Sequence, residues 1–283
     1  KRQVLLILAF CLAAWMLVQA PQKDMRFLPG PGDLTLTFSG AFAVALIFVN
    51  YAYTGWNAAT YLTSELESPE RHLSGVLIRG TLIVLVLYLL LNFTFLYVAP
   101  ASEMVGQLEI GYIAARHVFG ETGADVMGVV LAALLISTVS AMVMAGPRVL
   151  QVIGEDFAAF RPLAKVNAYD VPTNAIVIQS LVTLIFIVTA SFETILVFAG
   201  FTLGVNTFFT VLGVFALRIR QPELNRPYRV PLFPLPPLIY LGVTGWTLVY
   251  ILRDRPEEGW MGLAIIAAGG LFYAGTVLLS RPR

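Results

Sequence analysis

The residues best suited to chemistry in this chain are Tyr51-Ala52-Tyr53-Thr54-Gly55-Trp56-Asn57, a polar and aromatic cluster inside an apolar run. Between Thr37 and Leu62 no residue is charged, and the run closes at Glu65, Ser68-Pro69 and Arg71. A straight membrane helix needs about 20 apolar residues. This run is longer, and it carries Asn50, Gly55 and Asn57 near its middle. Hydrocarbon offers backbone groups no partner, so irregular chain at depth persists only where it lines a cavity or a site. The pattern predicts a discontinuous helix with a small-molecule site at its break.

Other polar groups at depth are sparser. Ser137, Thr138 and Ser140 form one cluster, and Thr202 and Asn206 another. Hydroxyls in membrane helices often bond the carbonyl four residues back or tie helices together. Helix glue therefore competes with an ion or substrate contact at Ser137, Thr138 and Ser140. Gly200 and Gly204 read as close helix packing, and Asn206 as an interhelical hydrogen bond. No Asp, Glu, Lys, Arg or His stands near the centre of an apolar run. That pattern speaks against proton relays, voltage sensors and cationic substrates held by a buried carboxylate.

Enzyme chemistry finds little to work with. A nucleophile beside a base, or a convergent acid pair, is not visible. Cys11 sits inside an apolar run and, being single, excludes an internal disulfide. His72 and His117 stand apart in loops, so neither a metal site nor a cofactor is expected. Coupling to Na+ or H+ stays open. Glu65, Glu67, Glu70, Glu155 and Asp156 read as solvated charges at the ends of spans. A channel or receptor-like protein is the alternative; a channel would carry a polar face through several spans, whereas only two or three show one.

The elements that must hold these residues are membrane helices. Of 283 residues, 58% are hydrophobic and 12% charged, and mean hydropathy is +0.80. Soluble domains run near 25% charged, so an all-α polytopic membrane protein is expected, with the lipid bilayer as its surroundings. Net charge is +1 and no basic cluster suggests nucleic acid. Eight spans are expected: 3–20, an interrupted 37–64, 76–98, 125–150, 174–190, 193–217, 236–252 and 259–279. A short amphipathic piece, 109–119, presents Ile110, Ile113, Ala114 and Val118 on one face. The corner at Ala190-Ser191-Phe192 makes its two flanking spans antiparallel neighbours. Tyr97, Trp246, Tyr250 and Trp260 lie near span ends, as interfacial anchors do.

The opening Lys1-Arg2 and apolar run to Ala20 are too long for a signal peptide and lack a small-x-small cleavage site before Pro21. They read as a retained span. The chain begins there without Met, as the C-terminal part of a longer protein would. With both ends placed in the cytoplasm, thirteen Lys and Arg fall inside and five outside. The bias agrees with the positive-inside rule.

Three blocks resemble the amino acid–polyamine–organocation transporters, and within them the neutral amino acid exchangers. Tyr51 to Asn57, followed by Glu65, Pro69 and Arg71, resembles the family's unwound sixth helix and its cytoplasmic exit. Ser137-Thr138 through Ala145-Gly146-Pro147-Arg148 resembles the eighth helix. Arg226-Pro227-Tyr228-Arg229-Val230-Pro231-Leu232-Phe233-Pro234 resembles the loop before the eleventh. The resemblance implies a partial five-plus-five inverted-repeat fold, comprising family helices five to twelve, in a single transmembrane domain over 1–283. Residues 1–20 would close the first repeat, 37–217 form the second, and 218–283 add a cytoplasmic loop and two helices. It further implies an amino acid permease or antiporter of the plasma (inner) membrane, working by alternating access.

In that likeness, carbonyls around Tyr51, Ala52 and Thr54 receive the substrate ammonium, Tyr51 is the aromatic gate, and Asn57 is a polar side chain near substrate. The carboxylate side would belong to N-terminal helices of the same protein that precede this chain. Two departures matter. Thr54-Gly55 stands where many exchangers have Gly-Gly, which implies a smaller pocket. Phe10 stands where many carry a lysine, seven residues after a Gln resembling Gln3, which leaves a sodium site on Ser137, Thr138 or Ser140 open. Gly154-Glu155-Asp156-Phe157 also departs from the family's usual Arg-Asp-Gly, and no role attaches to it.

Overall fold

The computed structural model describes residues 2–22, 30–56 and 68–279; these are largely helical, and no strand occurs among them. In chain order the helices are α1 (Arg2–Leu17), α2 (Asp33–Thr37), α3 (Gly40–Ala52), α4 (Pro69–Val98), α5 (Ala101–Met104) and α6 (Ile110–Asp156). A 3-10 turn (Ala158–Ala164) leads to α7 (Thr173–Thr189), α8 (Phe192–Arg220), α9 (Leu235–Asp254) and α10 (Pro256–Leu279). α4, α6, α8, α9 and α10 are long and apolar enough to cross a membrane, and α1, α3 and α7 are shorter apolar helices. They stand at the eight expected spans. The chain is an all-α polytopic membrane protein. Its helices leave wide apolar faces uncovered, with Val129 71% and Ile185 60% exposed, as lipid-facing helices do.

Local chemistry sets the helix ends. Ser39 begins α3, its hydroxyl accepting from the Phe42 amide at 3.2 Å, and Ser191 begins α8 by accepting from Thr194 at 3.1 Å. Each satisfies an amide that has no partner inside its helix. The expected corner at 190–191 is present, and Phe186 stacks on Phe198 across it at 5.8 Å. At Gly120, φ is +73° and the chain leaves helical geometry. Only a residue without Cβ takes that conformation cheaply. The amphipathic piece is therefore separate from the span that follows it, as its composition suggests.

The chain divides into two compact units. One comprises residues 1–29 and 75–146. Its core joins Ala14 of α1, Val98 and Ala99 at the end of α4, and Ile113 and Ala114 of α6. Here the predicted apolar face of 109–119 finds its partner. Within this unit Trp15 Nε1 donates to Thr94 Oγ1 at 3.1 Å, and Thr94 Oγ1 donates to Leu90 O at 2.8 Å. Buried Thr94 is thus fully paired, as a polar group in an apolar interior must be.

The other unit comprises residues 30–74 and 147–283. Ile47 of α3, Val197, Phe201 and Val205 of α8, and Ile251 of α9 make its core. Close approach needs small residues: a Cβ on Gly204 would meet Leu248 Cδ2 at 3.2 Å, and one on Gly262 would meet Phe201 Cδ1 at 2.8 Å. The Arg226–Pro234 block ties the α8–α9 loop to α8. Arg226 donates to the carbonyls of Gln221, Pro222 and Leu224 at 2.7, 2.9 and 2.9 Å. These carbonyls lie just past the end of α8, where a cation is also favoured by the helix dipole. Arg218 lies over the Phe233 ring, 3.6 Å from its centre. The unit boundary at Gly146-Pro147 falls inside α6, where proline removes one backbone donor.

Candidate functional site

α3 runs regularly from Gly40 to Ala52 and stops two residues into the polar cluster. Two residues stop it. Thr54 folds back on the last turn: its amide donates to Tyr51 O at 3.0 Å and its hydroxyl donates to the same oxygen at 2.7 Å. Gly55 then takes φ of +93°, the left-handed conformation that ends helices. Residues 53–56 form a turn. The structure thus shows the helix ending at Ala52 within the run; residues 57–64, Asn57 among them, lie outside the described residues, as do Glu65 and Glu67.

The turn stays outside the unit's core. Tyr51 is 39% and Trp56 49% exposed, Ala52, Thr54 and Gly55 are exposed, and Tyr53 is half-buried. The Tyr51 carbonyl already accepts two hydrogen bonds from Thr54, and a carbonyl oxygen has two lone pairs. A ligand ammonium reaching that oxygen must displace the Thr54 hydroxyl.

The far end of α3 is fixed by contacts invisible in its own sequence. Tyr250 Oη donates to Phe38 O at 3.4 Å, and the Phe42 and Trp246 rings are 6.4 Å apart. A Cβ on Gly40 would overlap the Asp254 carboxylate, so a larger residue there would have to turn that side chain away. Trp246 and Tyr250, expected as interfacial anchors, thus also pack against the start of α3.

The second cluster is built differently. Ser137, Thr138 and Ser140 are exposed on α6, in the unit of residues 75–146, whereas Tyr51–Trp56 belong to the other unit. Thr138 Oγ1 donates to Leu134 O at 3.0 Å, the helix-internal bond expected of a hydroxyl without a ligand. Thr202 does the same to Phe198 O at 2.8 Å. Gly200 packs tightly, as its spacing from Gly204 suggests: a Cβ there would meet Ile47 Cγ1 at 2.7 Å.

A sequence model described as amino acid permease matches residues 3–277. The chain belongs to the amino acid permease family. It is 24% identical over 258 residues to the b(0,+)-type amino acid transporter 1 of Mus musculus, covering 91% of this chain and 53% of that protein. It is 25% identical over 249 residues to the large neutral amino acids transporter small subunit 2 of Mus musculus, covering 86% and 46%. The serine/threonine exchanger SteT of Bacillus subtilis (strain 168) is 27% identical over 238 residues, 83% of this chain and 54% of the exchanger. This permease chain spans about half the length of the curated relatives it matches.

Two charged clusters hold pairings that no motif marks. His117 is not isolated: its Nε2 lies 2.9 Å from Glu103 Oε2, and Arg116 Nη2 donates to that oxygen at 3.2 Å. The hydrogen bond to His117 is the main cause holding the Glu103 carboxyl below its ordinary value of 4.5, and the neighbouring charges of His117 and Arg116 add to it. Arg255 pairs with Glu193, joining the end of α9 to the start of α8. The sequence signal was present but weak, because both carboxylates lie next to helix starts and carry no motif. No group of His, Cys, Asp and Glu among the described residues could hold a metal.

Proposed function

We propose that this permease chain supplies the ammonium-side half of a binding site in a secondary transporter of neutral amino acids. The break at Tyr53–Trp56, inside a run without charges, carries the reading. Unpaired backbone at that depth would be costly without a ligand or water-filled cavity to receive it. Substrate binds against Tyr51, Ala52, Tyr53, Thr54, Gly55, Trp56 and Asn57. Its ammonium displaces the Thr54 hydroxyl from the Tyr51 carbonyl, and the Tyr51 ring closes over it. The preference for an uncharged side chain is supported by the absence of charge from Thr37 to Leu62 and by relatives named for neutral amino acids and for serine and threonine.

Access alternates across the plasma (inner) membrane, with both ends of this chain in the cytoplasm, and N-terminal helices of the same protein complete the carboxylate side. Residues 37–217 act as one repeat of the transporter domain. Ser137, Thr138 and Ser140 are the candidate oxygens for a Na+ ion, and H+ coupling is the competing mechanism. Counterflow of a radiolabelled neutral amino acid into vesicles holding the complete protein tests the reading. Saturable counterflow is expected, lowered about tenfold or more by Trp56→Ala or Asn57→Ala, the scale expected when positioned contacts are lost. Flux that never saturates would indicate a channel instead, and full counterflow in both variants would remove Trp56 and Asn57 from the site.

A further inference from the structure

The contact between Gly200 and Ile47 lies one turn from the break in α3. Ile47 and Tyr51 are four residues apart and therefore share a helix face. Ile47 is 2% exposed and packs among Val197, Phe201 and Ile251. A Cβ at Gly200 would meet Ile47 Cγ1 at 2.7 Å, Cδ1 at 3.5 Å and the Ile47 carbonyl oxygen at 3.7 Å. Ordinary carbon contacts lie at about 3.5–4.0 Å, so a side chain at 200 forces the Ile47 side chain, or the turn of α3 that carries it, to move by about 1 Å. Little can yield, because the core on either side is close-packed, and the start of α3 is held by Tyr250 and Trp246. The displacement is passed along the helix to the turn at Tyr51–Trp56, which begins one helical turn beyond Ile47.

The geometry assigns Gly200 the part of a positioning residue. By lacking a side chain it seats α3 on α8 and so sets where the Tyr51–Thr54 turn stands. This rests on the transport reading above, because the turn matters only if it meets substrate. Gly204 supplies the internal control. It is one turn further along α8, and a Cβ there would meet only the end of the Leu248 side chain, on α9, at 3.2 Å.

The test uses the complete protein in proteoliposomes and measures KM and maximal rate per inserted molecule for a neutral amino acid. Gly200→Ala is expected to raise KM about tenfold, in line with a 1 Å misplacement near a binding group. Ile47→Ala in the same chain removes the clashing Cγ1 and is expected to return KM to within about threefold of the starting protein. Gly204→Ala is expected to leave KM unchanged. An unchanged KM in Gly200→Ala, an equal rise in Gly204→Ala, or a rise that Ile47→Ala does not reverse would each overturn the assignment. Should Gly200→Ala alone not reach the membrane, insertion of the double variant with the starting KM supports it, and failure of the double variant to insert overturns it. Absence of saturable uptake by the unmodified protein is a separate outcome: it defeats the transport reading itself.

Discussion

α3 ends at Ala52, inside its cluster of neutral polar residues, whereas α6 continues as helix from 121 to 156 through Ser137, Thr138 and Ser140. Polar side chains in an apolar run therefore do not by themselves break a helix. In α6 the hydroxyl of Thr138 turns inward and bonds the carbonyl four residues back, leaving the backbone ladder intact. In α3 the hydroxyl of Thr54 reaches only three residues back, and Gly55 then leaves the helix through positive φ. The difference lies in the backbone chemistry of two adjacent residues. On the proposed reading, one run would offer main-chain atoms to substrate, and the other side chains alone.

The sharpest way to break that contrast is to take the glycine out of α3. At φ of +93°, an L-residue with a branched Cβ is strained by about 1–2 kcal/mol, and the strain either distorts the turn or drives the chain back toward helix. Gly55→Val should lower saturable uptake at least tenfold while the protein still inserts, a factor set by about 1.4 kcal/mol per decade. Uptake at the original level would show that the turn is not needed for transport. A milder change acts on Thr54. Thr54→Val keeps the shape, removes the hydroxyl that occupies the Tyr51 carbonyl, and should change KM by about fivefold, the worth of one hydrogen bond. If the ammonium takes the hydroxyl's place, KM falls; a rise would mean that the hydroxyl itself contacts substrate.

For α6 the expected effects are smaller and selective. Thr138→Val, which gives up only a helix-internal bond, should shift KM less than about twofold. Ser137→Ala and Ser140→Ala separate the two uses of the cluster, because a Na+ site would make the Na+ dependence of uptake shift while the substrate KM at saturating Na+ stays put. Uptake that ignores Na+ in the unmodified protein removes the ion site from α6 and leaves helix glue.

Much of this was legible in the sequence, because hydrocarbon forces regularity and makes exceptions conspicuous. The eight apolar runs, the corner at Ser191 and the separate amphipathic piece before Gly120 follow from hydropathy and turn chemistry alone. So does the end of α3, since Thr, Gly and aromatics coincide where the run is too long. What was not legible is pairing at long range. Nothing in the run around His117 marks Glu103, fourteen residues earlier, as its partner. Likewise nothing in α9 indicates that Asp254 will lie against Gly40. Gly200 could be read as small and closely packed, but its neighbour Ile47 is 153 residues distant and only the folded chain names it.

The Glu103 cluster offers the weakest and most conditional effect, and its sign can be worked out. A carboxyl held below its ordinary value of 4.5 by folding is favoured in its ionised form by the folded state. Its contribution to stability is therefore present above about pH 4.5 and is lost as pH falls through the lowered value. Arg116 and His117 face it from α6, so α5 and the amphipathic start of α6 should be tied at neutral pH and released in acid. The pair is exposed, and exposed pairs contribute little to stability. Glu103→Gln should accordingly leave insertion and KM unchanged while speeding protease cleavage in the 101–110 connector at pH 7. As pH falls through that lowered value, the cleavage difference between the variant and the starting protein should shrink away, since the starting protein then loses the same bond. A cleavage difference that persists undiminished in acid would mean that the substitution perturbs the connector by some route other than the lost charge.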